Sequence, residues 1–225
     1  MSEIEWTPFL LSFKLAFATA ISLFFISLPL AWYLSQTKSK WKPLIEAITA
    51  MPIVLPPSVL GFYLLIFLSP DSSLGSFFEN FVGIKPLFSF EGLVIASIIY
   101  SLPFMVQPLQ SGLETLSQSM IEASFLSGKG KIETIFKVAL PNIKPSLITA
   151  FIITFAHTIG EFGVVLMVGG SIPQETRVAS VAIYELVEGM DYTKAHIYSG
   201  VMVALSFITL LLVYITNRNL KLKVK

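Results

Sequence analysis

An all-α membrane protein of about five transmembrane helices is the fold class this sequence predicts, and three observations predict it. The 225 residues are 54% hydrophobic with a mean hydropathy of +0.77, and only 13% are charged, against roughly 25% in a soluble domain. The apolar residues gather into five runs, at about 8–34, 44–68, 91–112, 142–168 and 196–217, each long enough to cross a hydrocarbon core that takes about 20 residues of helix. Between the runs, lysine-rich and lysine-poor connections alternate. By the positive-inside rule this places the first and third connections and the C-terminus in the cytoplasm and the N-terminus outside, as an odd number of spans requires.

The first run begins near Pro8 with no basic segment before it and no small-residue cleavage site after it, so it reads as a retained helix. Lys38, Lys40 and Lys42 follow it. The second run contains Met51-Pro52 and Leu55-Pro56-Pro57, and the third contains Pro103 and Pro108. A proline inside a membrane helix removes a backbone hydrogen bond, and the freed carbonyls must be met by neighbouring helices or by water in a cavity. Pro56, Pro57 and the adjoining Ser58 are therefore candidates for the lining of a pathway, beside the alternative of a kink packed against protein.

The third connection, about 113–141, is the longest on the lysine-rich side. Leu113, Leu116, Met120 and Ile121 fall on one helical face, Gly128 and Gly130 interrupt, and Ile132, Ile135, Phe136 and Ala139 fall on another. Two short amphipathic helices of this size need a surface on which to bury their apolar faces, either the lipid interface or a partner protein.

In the fourth run Thr154, His157, Thr158 and Glu161 occupy i, i+3, i+4 and i+7, a polar stripe expected to face the bundle or a pathway, or else to be structural. After it, Gly169-Gly170-Ser171-Ile172-Pro173 opens an external segment with a short helix expected at Thr176–Leu186. In the fifth run Ser199, Met202 and Ser206 share a face.

Lys14 and Glu161 are the two charges deep within predicted spans, both roughly 9–11 Å below the outer boundary at 1.5 Å per residue. An unpaired charge there costs about 2.5–3.5 kcal/mol on insertion scales, which predicts that the two meet, directly or through His157. The alternative has Lys14 snorkelling outward and Glu161 held by backbone donors near Gly160 and Gly163.

Several classes are excluded or disfavoured. Zero cysteines remove disulfides, thiolate metal sites and cysteine nucleophiles. His157 and His196 are isolated, no carboxylate cluster has metal-ligand spacing, and no catalytic residue, metal or cofactor is expected. A net charge of +1 without a basic stripe gives no nucleic-acid partner. There is no G-x4-G-K-[ST] phosphate loop, so nothing in this sequence is expected to hydrolyse ATP. An ion-coupled secondary transporter would favour inverted repeats or several intramembrane carboxylates, and neither is apparent. One domain, 1–225, is expected.

Glu122-Ala123-Ser124, three residues, Gly128, nine residues, then Val138-Ala139-Leu140-Pro141 resembles the EAA loop of binding-protein-dependent ABC importer permeases, E-A-A-x3-G-x9-I-x-L-P. Serine and valine replace the third alanine and the isoleucine. The resemblance implies the type I importer permease (MetI-like) fold. It also implies that Glu122, Ala123, Ser124, Gly128, Leu140 and Pro141 couple the chain to an ATPase. Two further stretches, Met51 to Leu65 and the G-E-F-G…G-G-x-I-P-x-x-T-R…A-I-Y pattern from Ile159 to Tyr184, resemble the molybdate branch of that family, and sulfate permeases share a looser form of the second. The family implies a homodimer of this chain, two cytoplasmic ATPase subunits and an external or periplasmic oxyanion-binding protein, in the cytoplasmic (inner) membrane of a prokaryote. It implies import of molybdate or tungstate by alternating access, with sulfate or another oxyanion as the alternative.

Overall fold

In the computed structural model, which describes residues 4–223, every regular element is helical. The expected C-terminal basic residues Arg218, Lys221, Lys223 and Lys225 lie outside the residues whose side chains are described.

The first predicted span is one helix, α1 (Thr7–Gln36), which starts with a proline in its first turn, where a missing N–H costs nothing. The second is two half-helices, α2 (Lys42–Val54) and α3 (Pro57–Phe67), bent by 111°. Leu55 precedes a proline and is held extended at ψ 133°, so α2 stops there; Pro57 then opens α3. A short helix, α4 (Ser73–Phe77), and a π-helical turn (Phe78–Val82) follow at the far end. The third span, α5 (Phe90–Glu114), runs unbroken through Pro103 and Pro108, and Ser89 caps it by accepting from the Gly92 N–H at 3.1 Å. Prolines interrupted the second span and not the third because only Pro56-Pro57 combines an extended residue before a proline with a second proline at a helix start.

The third connection contains α6 (Gln118–Leu126), α7 (Lys131–Thr134), a π-helical turn (Ile135–Ala139) and α8 (Leu140–Asn142). From there the chain turns by 87° into α9 (Lys144–Ile159). The fourth span is not the single helix expected at 142–168. It ends at Gly160, and α10 (Gly163–Gly169) begins after Phe162 departs from helical geometry at φ −128°. The short helix expected at 176–186 is α11 (Ala179–Glu188), with Thr176 outside it. The last span is α12 (Tyr192–Lys223).

Among the described residues three helices are long and apolar enough to cross a membrane, and the number rises to five if each of the two bent pairs is one span. The core lies where α1, α5 and α9 meet: Leu23, Leu28 and Leu34 pack with Met105, Leu109 and Leu113, and Ala139, Leu140 and Ile143 join them from the connection before α9. Between membrane helices such packing stabilises through van der Waals contact rather than removal from water, since lipid tails are as apolar as leucine. At the lysine-rich end Lys42 pairs with Glu114 at 3.0 Å, joining the start of α2 to the end of α5. At the opposite end Arg177 pairs with Glu185 at 2.8 Å and with Glu5 at 3.5 Å, and the Tyr198 hydroxyl bonds the backbone of Glu5. In contrast α12 is little buried, with Val203, Phe207 and Tyr214 exposed.

Candidate functional site

The motif-bearing connection folds as a closed helix pair. At the end of α6 the Gly128 N–H donates to Phe125 O at 2.9 Å and the Lys129 N–H to Ser124 O at 3.2 Å. This is the six-to-one, five-to-two pattern of a Schellman cap, and it sets Gly128 at φ +81°, a region that side chains with a Cβ avoid. Ser124 is buried, and its hydroxyl lies 2.9 Å from that of Thr134, tying α6 to α7. The serine at the third motif position is thus a bonded bridge, a role its size alone does not disclose.

Leu140 is buried in the main core, so the end of the motif is anchored among the membrane helices. Glu122, Ala123, Gly128 and Pro141 are exposed. Of the two expected apolar faces, Leu113, Ile121 and Ala139 are buried, whereas Ile132 is 74% and Phe136 52% exposed, and Leu126 at the end of α6 is 89% exposed. Among the described residues no apolar surface covers those three.

A second region forms where the two broken spans meet. The half-helices α3 and α10 pack together, and Gly163 is the point of approach: a Cβ there would stand 2.8 Å from Pro57 Cβ. Beside this contact a cavity of about 590 Å³ is lined by Pro57, Ser58, Tyr100, His157, Gly160, Glu161 and Gly163, among others. Candidates read separately from the second and fourth runs are brought to one place. Pro56 adjoins it as the N-cap of α3.

The polar stripe does not survive as a stripe. Because α9 ends at Gly160, Glu161 lies past the helix and off its face. Thr154 and Thr158 are buried, with the Thr158 hydroxyl donating to Thr154 O at 3.0 Å. His157 lines the cavity; its ring stacks on Phe104 at a centroid distance of 4.0 Å, and Nδ1 lies 3.0 Å from Ser101 Oγ. Ser101 and Tyr100 of α5 are partners that sequence periodicity left unmarked, since α5 is apolar on either side of them.

The expected pairing of Lys14 with Glu161 is not formed. Lys14 is on an exposed face of α1 with its ammonium 4.2 Å from the centre of the Phe90 ring, a cation–π contact that replaces the ion pair. Glu161 is 3% exposed, its carboxyl oxygens have no hydrogen-bond partner among the described residues, and Ser97 of α5 is a polar side chain beside it. The backbone donors expected near Gly160 and Gly163 do not reach those oxygens. Among the described residues no group of three or more His, Cys, Asp or Glu is placed to hold a metal ion.

Residues 27–222 match the family described as the inner membrane component of binding-protein-dependent transport systems. The chain is 44% identical, over 97% of its length and 96% of the relative's, to the molybdenum transport system permease protein ModB of Azotobacter vinelandii. It is 32% identical, over 93% of its length and 79% of the relative's, to a probable sulfate transport system permease protein of Chlorella vulgaris. Among solved structures, a bacterial alginate ABC transporter in complex with an alginate pentasaccharide-bound periplasmic protein superposes with a TM-score of 0.75 at 18% identity, covering 98% of this chain and 80% of that one. The fold is that of an ABC importer permease.

Proposed function

The chain belongs to the family of binding-protein-dependent transport system inner membrane components, and from that membership we propose that it is the permease subunit of an ATP-driven molybdate importer. Near full-length likeness to a molybdenum permease is the observation that carries the substrate. In this reading the chain is one permease domain in a prokaryotic inner membrane, pairs with a second copy, and takes an oxyanion from a periplasmic binding protein. It does not hydrolyse ATP; two cytoplasmic ATPase subunits do.

The lysine-rich end faces the cytoplasm, where the loop carrying Glu122, Ala123, Ser124, Gly128, Leu140 and Pro141 docks on an ATPase subunit. The exposed Leu126, Ile132 and Phe136 support that role, because an apolar face left bare by its own chain requires a covering partner. Pro56, Pro57, Ser58, His157 and Glu161 stand along the pathway, with Thr154 and Thr158 behind His157. Closure of the ATPase subunits on nucleotide moves the two loops together and opens the pathway outward.

Sulfate is the second reading, favoured by the likeness to sulfate permeases; both substrates are divalent tetrahedral oxyanions. The test is ATPase stimulation in the purified complex by its binding protein loaded with molybdate, tungstate or sulfate in turn. Stimulation by the molybdate- and tungstate-loaded forms alone is expected, and stimulation only by the sulfate-loaded form would transfer the assignment to the second reading.

A further inference from the structure

His157 is held at a fixed orientation in the cavity wall. Its ring is stacked on Phe104 and tilted against Tyr100 at a centroid distance of 4.8 Å. From Nδ1 a chain of contacts runs to Ser101 Oγ at 3.0 Å, from there to Thr158 Oγ1 at 3.1 Å, and on to Thr154 O at 3.0 Å. Nε2 has no hydrogen-bond partner among the described residues and is not among the fully buried polar atoms, and the His157 side chain borders both this cavity and a second space walled by Ile153, Ser206 and Thr209.

Two hydroxyls in series give the chain two polarities. In one, Nδ1–H donates to Ser101, Ser101 to Thr158 and Thr158 to the Thr154 carbonyl, which leaves Nε2 as a bare acceptor. In the other, Thr158 turns its proton to Ser101 and Ser101 donates to Nδ1, which makes Nε2–H a donor. The first keeps all three contacts as hydrogen bonds; the second gives up the bond from Thr158 to the Thr154 carbonyl, a loss that an anion accepting from Nε2–H must offset.

Ser58 stands on the same wall, in the first turn of α3, where its hydroxyl and its backbone N–H, the latter without an intrahelical acceptor, are further donors. No lysine or arginine lines the cavity, and the carboxyl oxygens of Glu161 are fully buried in that wall. At about 590 Å³ the space falls in the range of small-ligand sites. A four-oxygen anion needs a few water volumes of roughly 30 Å³ each, so it enters with part of its hydration.

We infer that this cavity is a transit site for a divalent tetrahedral oxyanion, with His157 Nε2–H and Ser58 as its donors and Ser101 and Thr158 as positioning residues that set the imidazole tautomer. The inference rests on the proposed oxyanion import and adds the place within the membrane where the anion is met. Neutral donors without a fixed cation hold a divalent anion weakly, which suits a site that must release as readily as it fills.

The experiment is uptake of labelled molybdate by proteoliposomes holding the complete transporter with its loaded binding protein, normalised to complex that assembles with its ATPase subunits. His157→Leu is expected to lower uptake about tenfold, and His157→Gln, which keeps an N–H donor, to stay within about threefold of wild type. Ser101→Ala is expected to lower uptake about threefold and Ser101→Thr to restore it. Wild-type uptake in the His157→Leu transporter overturns the inference, and so does a loss that glutamine fails to rescue, which would assign the ring a packing role. If His157→Leu fails to assemble, the Ser101 pair decides: unaltered uptake with Ser101→Ala overturns it. Absence of both uptake and stimulated hydrolysis in the wild-type complex would instead sink the import reading itself.

Discussion

Gly128 and Gly163 mark the two regions of interest, and they are glycines for opposite reasons. At Gly128 the backbone is left-handed at φ +81° and, its two chain neighbours aside, no described residue has an atom within 4 Å of where a Cβ would stand. At Gly163 the obstacle is a neighbour: the Cβ would stand 2.8 Å from Pro57 Cβ, a contact between residues more than a hundred positions apart in the chain. The loop is a local structure that its own sequence closes, whereas the cavity is a tertiary structure made by two breaks meeting.

The largest effect is expected at Gly163. Carbon atoms pack at about 3.5–4.0 Å, so Gly163→Ala must push α10 away from α3, an overpacking that costs about 1–3 kcal/mol. The expected outcome is a lower midpoint of thermal unfolding for the purified complex together with lost uptake. An alanine variant with the wild-type midpoint would mean that the two half-helices do not depend on this approach.

At Gly128 the effect is smaller in stability and larger in specificity. Forcing a side chain into the left-handed region costs about 1–2 kcal/mol locally, and nothing nearby clashes. Gly128→Val is expected to reach the membrane at the normal level while transport uncouples from hydrolysis; Gly128→Asn, which tolerates that conformation, should retain most coupling. Normal transport by the valine variant would remove the turn from the coupling role.

That contrast also explains what the sequence made legible. The loop was readable because its information is local: Glu122 to Gly128 to Pro141 has fixed spacing, and glycine at a turn has a backbone meaning. The number of spans was readable because the bilayer imposes a length. The cavity was readable only in parts. Pro56-Pro57 announces a break, but Ile159 to Gly163 holds no proline, so the sequence carries the stripe from Thr154 to Glu161 along a helix that in the structure stops at Ile159. Lys14 and Glu161 were matched by depth alone, and depth does not give azimuth: Lys14 faces Phe90 at the start of α5, while Glu161 sits inside beside Ser97. Ser101 and Tyr100 acquire meaning only when α5 is laid against α9.

A third test works inside the loop. Ser124→Ala removes the 2.9 Å bond to Thr134 and leaves that buried hydroxyl without its partner. The cost is expected at about 0.5–1.5 kcal/mol, the net worth of one hydrogen bond. Replacing both hydroxyls, with Ser124→Ala and Thr134→Val together, should recover most of it in thermal unfolding, because neither buried polar atom is then left unpaired. A double variant as unstable as the sum of the singles would show that the two hydroxyls act independently.

The smallest effect is expected where the two regions are mechanically joined. Lys42 opens α2, the half-helix that ends at the Pro56 break, and Glu114 closes α5, the helix that leads into the loop; their 3.0 Å pair is extended by Gln110, which donates to Glu46 at 2.6 Å and to Glu114 at 3.1 Å. The side chains of Lys42 and Glu114 are 27% and 42% exposed, so water and salt screen them, and a pair of this kind contributes about 0.2–1 kcal/mol. In stability alone a double-mutant cycle with Lys42→Met and Glu114→Gln should return a coupling in that range, shrinking as salt is raised from low ionic strength. Of its own residues α2 fully buries only Thr49 and Pro52, with Ile45 packed partly buried against the main core, so this clasp adds to a small set of contacts that fix its position against α5. The cycle is therefore expected to show more in the rate of uptake than in thermal midpoint. Equal and negligible changes in both would mean that α2 is held by other contacts, and that the cavity and the loop are not linked through this end of the helix pair.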